Sequence, residues 1–299
     1  MKNLKHKENF RSGFIAIIGA PNAGKSTLLN KILGQKISIT SKKPQTTRDR
    51  ILGVIERPFS QIIFLDTPGI HKTKSLLNKK IVTKALLAVN DVDAIVLMID
   101  LSSKDIESEK IIINQLTKNK IPVILALNKI DLIKKNDILF FIEKYSCIFN
   151  FKYIVPICAK KGTQIPELLT EIEKCIPLGQ RLFPKDTLTD MSEKFIAGEM
   201  VREKVFRFTG MEIPYSIAVT IDSFKEKKEL IIIHACIHVD RNSQKGIVIG
   251  KNGKMLKKIG IQARKDIQRM TGTKILLKLF VRVTKNWSRN EKNLKEFGY

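Results

Sequence analysis

Apolar positions along the first 176 residues fall into two kinds of run. Residues 14–18, 94–99 and 123–127 are short, unbroken and rich in β-branched side chains, as strands buried on both faces are. Near 25–33, 76–90, 106–117, 137–149 and 165–176, apolar and polar residues instead mix at helical spacing. Residues 51–56 and 61–65 lie too close together for a helix between them and predict a hairpin. Residues 153–157 predict a further strand. The alternation predicts an α/β fold with a mostly parallel sheet covered by helices. Ligands on such sheets sit at the carboxyl ends of the strands.

The pattern changes after residue 176. Pro177, Gly179 and Pro184 punctuate 177–190 as a connector. Beyond it, 191–208 reads as a helix, and 215–224 and 230–239 as strands joined by a charged turn. Residues 245–249 and 255–270 read as helices around a Gly-x-x-Gly loop, and 274–283 as a last strand. The order αββααβ predicts a second, smaller α+β domain. The expected division is 1–180, a linker at 181–190, and 191–299 with a short helix or frayed tail from 286. A chain of 299 residues suits two domains.

Composition sharpens this picture. A hydrophobic content of 43% is enough for two ordinary cores. No apolar run approaches the roughly 20 residues of a membrane-spanning helix. The run at 14–20 follows Lys2, Lys5 and Lys7, but it is too short for a secretion signal and leads into a Gly-Lys-Ser loop. A cytoplasmic protein is therefore expected. Cys147, Cys158, Cys175 and Cys236 show neither metal-ligand spacing nor a disulfide framework. The net charge is +25, and the isoelectric point is about 9.9, which points to a polyanionic partner. Residues 241–299 carry 16 Lys and Arg against 3 Asp and Glu, a net of +13. A compositional bias alone would spread that charge more evenly, so the second domain carries the basic surface.

Gly19-Ala20-Pro21-Asn22-Ala23-Gly24-Lys25-Ser26 has the phosphate-loop pattern between a strand and a helix that continues through Thr27. Glycines let backbone N–H groups curl round phosphate oxygens, and the helix N-terminus adds its positive end. Lys25 is expected on the outer phosphates and Ser26 on Mg²⁺. Forty residues on, Asp66-Thr67-Pro68-Gly69 places a carboxylate for Mg²⁺ at a strand end, and Gly69 offers a backbone N–H to the terminal phosphate. Asn128-Lys129-Ile130-Asp131 follows another buried strand. Alone it suits a polar capping turn; after the other two motifs it reads guanine. The Asp131 carboxylate can accept from two guanine N–H groups that adenine lacks, and such a mismatch can discriminate by about 10⁴. Asn128 would brace neighbouring loops and the Lys129 stem would cover the base. In Cys158-Ala159-Lys160 a backbone N–H could meet the guanine carbonyl. GTP or GDP with Mg²⁺ is the expected ligand.

In the basic domain, Ile249-Gly250-Lys251-Asn252-Gly253-Lys254 supplies a Gly-x-x-Gly loop between helices, as in a type II KH domain, where it clamps a single-stranded backbone. Lys251 and Lys254 would neutralise phosphates. Lys257, Lys258, Arg264, Lys265 and Arg269 recur along the following helix, some on the RNA surface and others on a solvated face. Trp287 is expected to pack rather than to stack on bases.

The longer segments Gly34-Gln35-Lys36-Ile37-Ser38-Ile39-Thr40-Ser41, Gln45-Thr46-Thr47-Arg48, Ala263-Arg264-Lys265-Asp266 and Phe297-Gly298-Tyr299 resemble the bacterial Era GTPase family, from about Gly13 to the last residue. The resemblance implies a P-loop GTPase domain followed by a KH domain. It implies a first switch at 45–49, with Thr47 or, second in preference, Thr46 as a further protein ligand of Mg²⁺ in the GTP state. It implies a catalytic set of Lys25, Thr47, Gly69 and Asn22, the last as a potassium ligand. Ile70 stands where Ras-like switches carry a water-orienting glutamine, so intrinsic hydrolysis is expected to be slow. Cys158 stands where the family has serine, which weakens a small hydrogen bond. His71 reads as a solvated loop histidine. The implied partners are the 3′ end of 16S ribosomal RNA and the small ribosomal subunit during its assembly. Peripheral attachment to the inner membrane and a monomeric state are also implied. A P-loop ATPase or kinase acting on RNA, and an RNA chaperone with a poorly hydrolysing pocket, are the competing readings. Asn128 and Asp131 argue against the first.

Overall fold

The computed structural model describes residues 10–40, 50–69, 91–103, 105–117, 120–209, 213, 217–287, 290, 293–294 and 297. The helix expected at 76–90, the first switch with Thr46 and Thr47, and Ile70 and His71 lie outside the described residues. The described chain divides into two compact units. One holds the residues up to Ser38 and from 50 to Asp190; the other takes Ile39 and Thr40 together with the chain from Met191.

In the first unit the strands are β1 (Arg11–Gly19), β2 (Ile51–Arg57), β3 (Ser60–Asp66), β4 (Ala94–Asp100), β5 (Val123–Asn128) and β6 (Tyr153–Ile157). They form one sheet in the order β2-β3-β1-β4-β5-β6. β2 and β3 make the expected antiparallel hairpin, and all other pairs are parallel. Helices α1 (Lys25–Leu33), α2 (Ile106–Leu116), α3 (Lys135–Ser146) and α4 (Ile165–Cys175) alternate with the strands. Strands buried on both faces explain the unbroken apolar runs: Ile15, Ile17, Ile63, Leu97 and Leu125 are all essentially inaccessible. Parallel register then sets the chemistry. Ile17 pairs with Asp66, Gly19 with Met98, Asp100 with Asn128, and Asn128 with Ile157. The strands that carry the motifs therefore all end at one edge of the sheet.

Residues 181–190 lie along the β2–β3 hairpin. Gln61 donates to Phe183 O at 2.8 Å and accepts from the backbone N–H groups of Leu182 and Phe183 at 2.9 Å. Val54 N donates to Leu188 O at 2.8 Å, and Arg181 pairs with Glu56 at 2.7 Å.

The second unit follows the αββααβ order: α5 (Glu193–Phe208), β7 (Ile217–Lys227), β8 (Leu230–Val239), α6 (Asn242–Ile249), α7 (Lys254–Thr271) and β9 (Lys274–Val283). Its sheet runs β7-β8-β9, with β7 antiparallel and β9 parallel to β8. α7 buries Ile259, Ala263 and Ile267, a stripe at i, i+4 and i+8. α5 and α7 are tied by the buried Lys204 ammonium, which donates to Glu203 at 2.9 Å and to Asp266 at 2.5 Å. Burial alone would lower the Lys204 pKa; those two carboxylates outweigh it and hold it above the usual lysine value. No helix among the described residues is long and apolar enough to cross a membrane.

Beyond β9 the chain folds back on the sheet. Thr284 N donates to Val239 O at 2.8 Å. Trp287 is fully buried and packs edge-on against Phe297 at 5.4 Å, and Phe297 lies against His238 at 4.4 Å. Trp287 is thus a core residue of the second unit. Trp287→Ala should lower that unit's unfolding free energy by about 3–5 kcal/mol through the cavity left behind. Urea unfolding followed by circular dichroism would read this as an earlier transition, and an unmoved midpoint would contradict the packing role.

Candidate nucleotide pocket and nucleic-acid groove

The phosphate loop leaves β1 at Gly19 and enters α1 at Lys25. Asn22 and Gly24 have positive φ, 65° and 102°. At Gly24 a side chain is excluded twice over, because a Cβ there would also overlap Asn128 Nδ2. Lys25 is buried, and its ammonium donates to the carbonyls of Gly19 at 3.0 Å and Ala20 at 2.8 Å. Burial draws its pKa down to about 8, against the opposing pull of Asp66. Thr27 follows in the first turn of α1.

Asp66 ends β3 and is wholly buried. Its Oδ2 accepts from Ser26 Oγ at 2.7 Å and from Ser38 Oγ at 2.8 Å. Its Oδ1 is buried with no hydrogen-bond partner among the described residues. Burial pushes the Asp66 carboxyl above the usual range, while the Ser26 hydroxyl, the Lys25 charge and the Ser38 hydroxyl pull the other way. A buried oxygen left unpaired costs about 1–3 kcal/mol or more. Beside a serine hydroxyl and a phosphate-loop lysine, that is the donor set Mg²⁺ takes when it bridges one or two protein oxygens to phosphates. Ser26 and Asp66 are the described residues that could hold the ion. Thr67 anchors the turn that follows, its hydroxyl donating to Ile17 O at 2.8 Å. Pro68 is buried and Gly69 reaches the phosphate loop, where a Cβ would stand 2.8 Å from Pro21 Cα.

Asn128 joins the two halves of the pocket. Its amide nitrogen donates to Ala23 O at 2.8 Å, and its amide oxygen accepts from Ala159 N at 3.0 Å. Lys129 has φ 68°, and its ammonium pairs with Asp100 at the end of β4. Asp131 lies in the short turn Ile130–Leu132. Its Oδ1 accepts from the Cys158 thiol at 3.1 Å, and Lys161 stands 3.7 Å from Oδ2. The thiol hydrogen bond is the main reason the Asp131 pKa falls below the ordinary carboxylate value. The cysteine thus makes the side-chain contact, with a thiol as the weaker donor in place of a hydroxyl. Lys160 is exposed at the rim. Pro21, Asn22, Ala23, Cys158 and Ala159 all lie along the same edge, on loops that follow β1 and β6.

In the second unit, α6 ends at Ile249, capped by Gly250, and α7 begins at Lys254, with a single tight turn over Lys251–Gly253 between them. Asn252 and Gly253 both have positive φ, 52° and 72°. Lys251, Asn252 and Lys254 are exposed around this turn and Ile249 is half-buried behind it. A groove of about 390 Å³ runs on from Gly253 between α7 and β9, lined by Leu256, Lys257, Gly260, Ile261 and Arg264 opposite Leu277 and Leu279. Apolar walls with cations at the rim suit unstacked bases and a phosphate backbone. Lys258 is turned out of this lining, its ammonium 4.6 Å from the centre of the Phe208 ring.

Sequence reasoning did not single out Asp100, Ser38 or the groove walls. Asp100 carried the same signal as Asp66, a carboxylate closing a buried strand. Leu256 and Gly260 are an i, i+4 pair on α7 that nothing in the sequence distinguishes from core positions. Ser38 had no local signal; the fold brings it to Asp66 across 28 residues.

Comparison with known proteins agrees with this geometry. Residues 14–129 match the family model of 50S ribosome-binding GTPases, and residues 212–288 match that of KH domains. GTPase Era of Geotalea uraniireducens is 51% identical over 98% of this chain and 99% of its own length. GTPase Era of Geobacter metallireducens is 52% identical, covering 97% and 98%. Among solved structures, a point variant of Aquifex aeolicus Era bound to GDP and AlF₄⁻ superposes with a TM-score of 0.93 at 40% identity, covering 97% of this chain and 99% of that one. An Era complex with MgGDPNP and nucleotides 1506–1542 of 16S ribosomal RNA superposes with a TM-score of 0.92 at 41% identity and the same coverage.

If Asp131 reads the base, replacing its carboxylate inverts the donor and acceptor pattern. Asp131→Asn should move preference from GDP toward xanthosine diphosphate, with guanine affinity falling on the order of 10³-fold or more. Competition titrations would measure it, and a retained guanine preference would remove Asp131 from this role.

Proposed function

The chain belongs to the Era family of GTPases, and from that premise we propose a GTP-driven switch that binds the single-stranded 3′ end of 16S ribosomal RNA and assists assembly of the small ribosomal subunit. The observation that carries this reading is one chain holding two built sites. The first is a phosphate loop with the Asp131 carboxylate held by Cys158 at the same edge of the sheet; the second is a Gly-x-x-Gly turn opening onto an apolar groove with cationic rims. A relative of nearly the same length and fold binds MgGDPNP and that RNA segment together.

In this reading the phosphate-loop N–H groups and Lys25 hold the phosphates. Ser26 and Asp66, joined by Thr47 or Thr46, hold Mg²⁺, which neutralises charge that develops between the outer phosphates. Gly69 presents its N–H to the terminal phosphate. Asp131 takes the guanine edge while Asn128 keeps the phosphate loop and the Ala159 loop in register. Catalysis then rests on positioning and electrostatics, because Ile70 cannot orient water by hydrogen bonding. Slow intrinsic hydrolysis follows, with Asn22 as the ligand for an activating potassium ion. The RNA backbone passes Gly250 and Gly253, with Lys251, Lys254 and Lys257 on its phosphates and Arg264 toward the bases. The site is that of a monomer in the cytoplasm, and its basic surface can be drawn to the anionic inner face of the membrane.

A carboxylate placed at the turn should act on RNA alone. Gly253 has open space around a would-be Cβ, but its φ of 72° disfavours any side chain, so Gly253→Asp adds charge together with backbone strain that aspartate tolerates better than most residues. It should weaken binding of a 3′-end oligonucleotide by about tenfold or more and leave GDP affinity as it was. Filter binding beside nucleotide titration would test this. Equal RNA affinity in the two proteins would take the groove out of the proposal.

A further inference from the structure

Ser38 has no part in the reading above, yet it is fully buried beside the carboxylate on which that reading depends. Its hydroxyl donates to Asp66 Oδ2 at 2.8 Å. The backbone that carries it is clamped on both sides by one amide. Asn30 Nδ2 donates to Ser38 O at 2.6 Å, and Asn30 Oδ1 accepts from Ile37 N at 3.0 Å and from Ser38 N at 2.9 Å. Ile37 beside it is buried as well. Asn30 itself sits on α1, the helix that begins with Lys25 and Ser26. The Ser38 hydroxyl is therefore a donor built into the unit, fixed to the phosphate-loop helix and aimed at the end of β3.

We propose that Ser38 is a positioning residue for the metal-binding carboxylate, setting which oxygen of Asp66 faces the ion and so how tightly magnesium retains the nucleotide. The proposal rests on the assignment of Ser26 and Asp66 to the metal side of the pocket. A carboxylate turns about its last torsion with a broad, two-fold preference. In Asp66 that freedom is removed because both hydroxyls, from Ser26 and Ser38, converge on Oδ2 and leave Oδ1 without a partner among the described residues. Ser26 is itself a candidate ligand, so its hydroxyl answers to the metal as well as to Asp66. Ser38 is committed to the carboxylate alone among the contacts of its side chain. Outer-shell donors of this kind orient ligands, and their removal typically costs about 10–100-fold in metal affinity.

The test uses the full chain loaded with fluorescent GDP and measures nucleotide release across a magnesium series and in EDTA. In Ser38→Ala the magnesium concentration that half-slows release should rise by about 10–100-fold. Its rate in EDTA should stay that of the wild type, which also shows that the pocket has folded. Ser38→Cys, a weaker donor of similar size, should fall between the two. A Ser38→Ala magnesium curve that overlies the wild type would overturn the proposal. So would release that speeds up equally with and without magnesium, since that marks a general loosening. Wild-type release indifferent to magnesium would overturn the metal assignment beneath the proposal, and the proposal with it.

Discussion

The nucleotide pocket is organised around a carboxylate that the fold removes from water. Asp66 closes β3 inside the unit, with Lys25 buried near it and two hydroxyls on a single oxygen. Taking one ion out of water costs several kcal/mol, and it is offset only by excellent geometry or a counter-charge. The described residues supply part of that compensation and leave Oδ1 unpaired among themselves. The opposed effects on the two groups have one origin: burial draws the Lys25 pKa down to about 8 and pushes the Asp66 carboxyl up. In the proposed function a phosphate group would answer the lysine and a divalent cation the carboxylate, so that MgGTP would relieve at once the two costs that folding imposed.

What lets so few residues carry the chemistry is the parallel register of the sheet. β1, β3, β4, β5 and β6 deliver Gly19, Asp66, Asp100, Asn128 and Ile157 to one edge. Loops that are far apart in sequence become neighbours there, and Asn128 then fastens the phosphate loop at Ala23 to Ala159 with one side chain. The second unit solves a different problem with similar economy. Its stripe of Ile259, Ala263 and Ile267 holds α7 on the sheet, which leaves Leu256, Gly260, Ile261 and Arg264 to line the groove.

Much of this was legible in the sequence because the determinants are local. β-Branched runs mark buried strands, the phosphate loop must combine glycine, lysine and serine at fixed spacing, and a Gly-x-x-Gly turn needs residues that accept positive φ. The hairpin of β2 and β3 and the αββααβ order followed from run lengths alone. The less legible parts depend on distant pieces of chain meeting. Nothing near Ser38 marks it as a partner of Asp66. The prolines of 177–190 signal a connector and do not reveal that Gln61 holds Leu182 and Phe183 against the hairpin. Lys258 carries the same charge as Lys257, but it falls off the helical stripe of Lys257, Ile261 and Arg264 that lines the groove, and its ammonium lies by Phe208. The partner of Cys158 was likewise not legible: its thiol stands 3.1 Å from Asp131 and donates to it, as a weaker donor than a serine hydroxyl.

The most direct test of this account is to find where a divalent ion settles. Crystals grown with GDP and Mn²⁺, with anomalous scattering recorded at the manganese edge, would locate it without reference to activity. The account predicts a peak between Ser26 Oγ and the Oδ1 side of Asp66, with the Ser38 hydroxyl still on Oδ2. A manganese peak elsewhere in the pocket, or an Asp66 carboxylate turned away from bound metal and nucleotide, would contradict it.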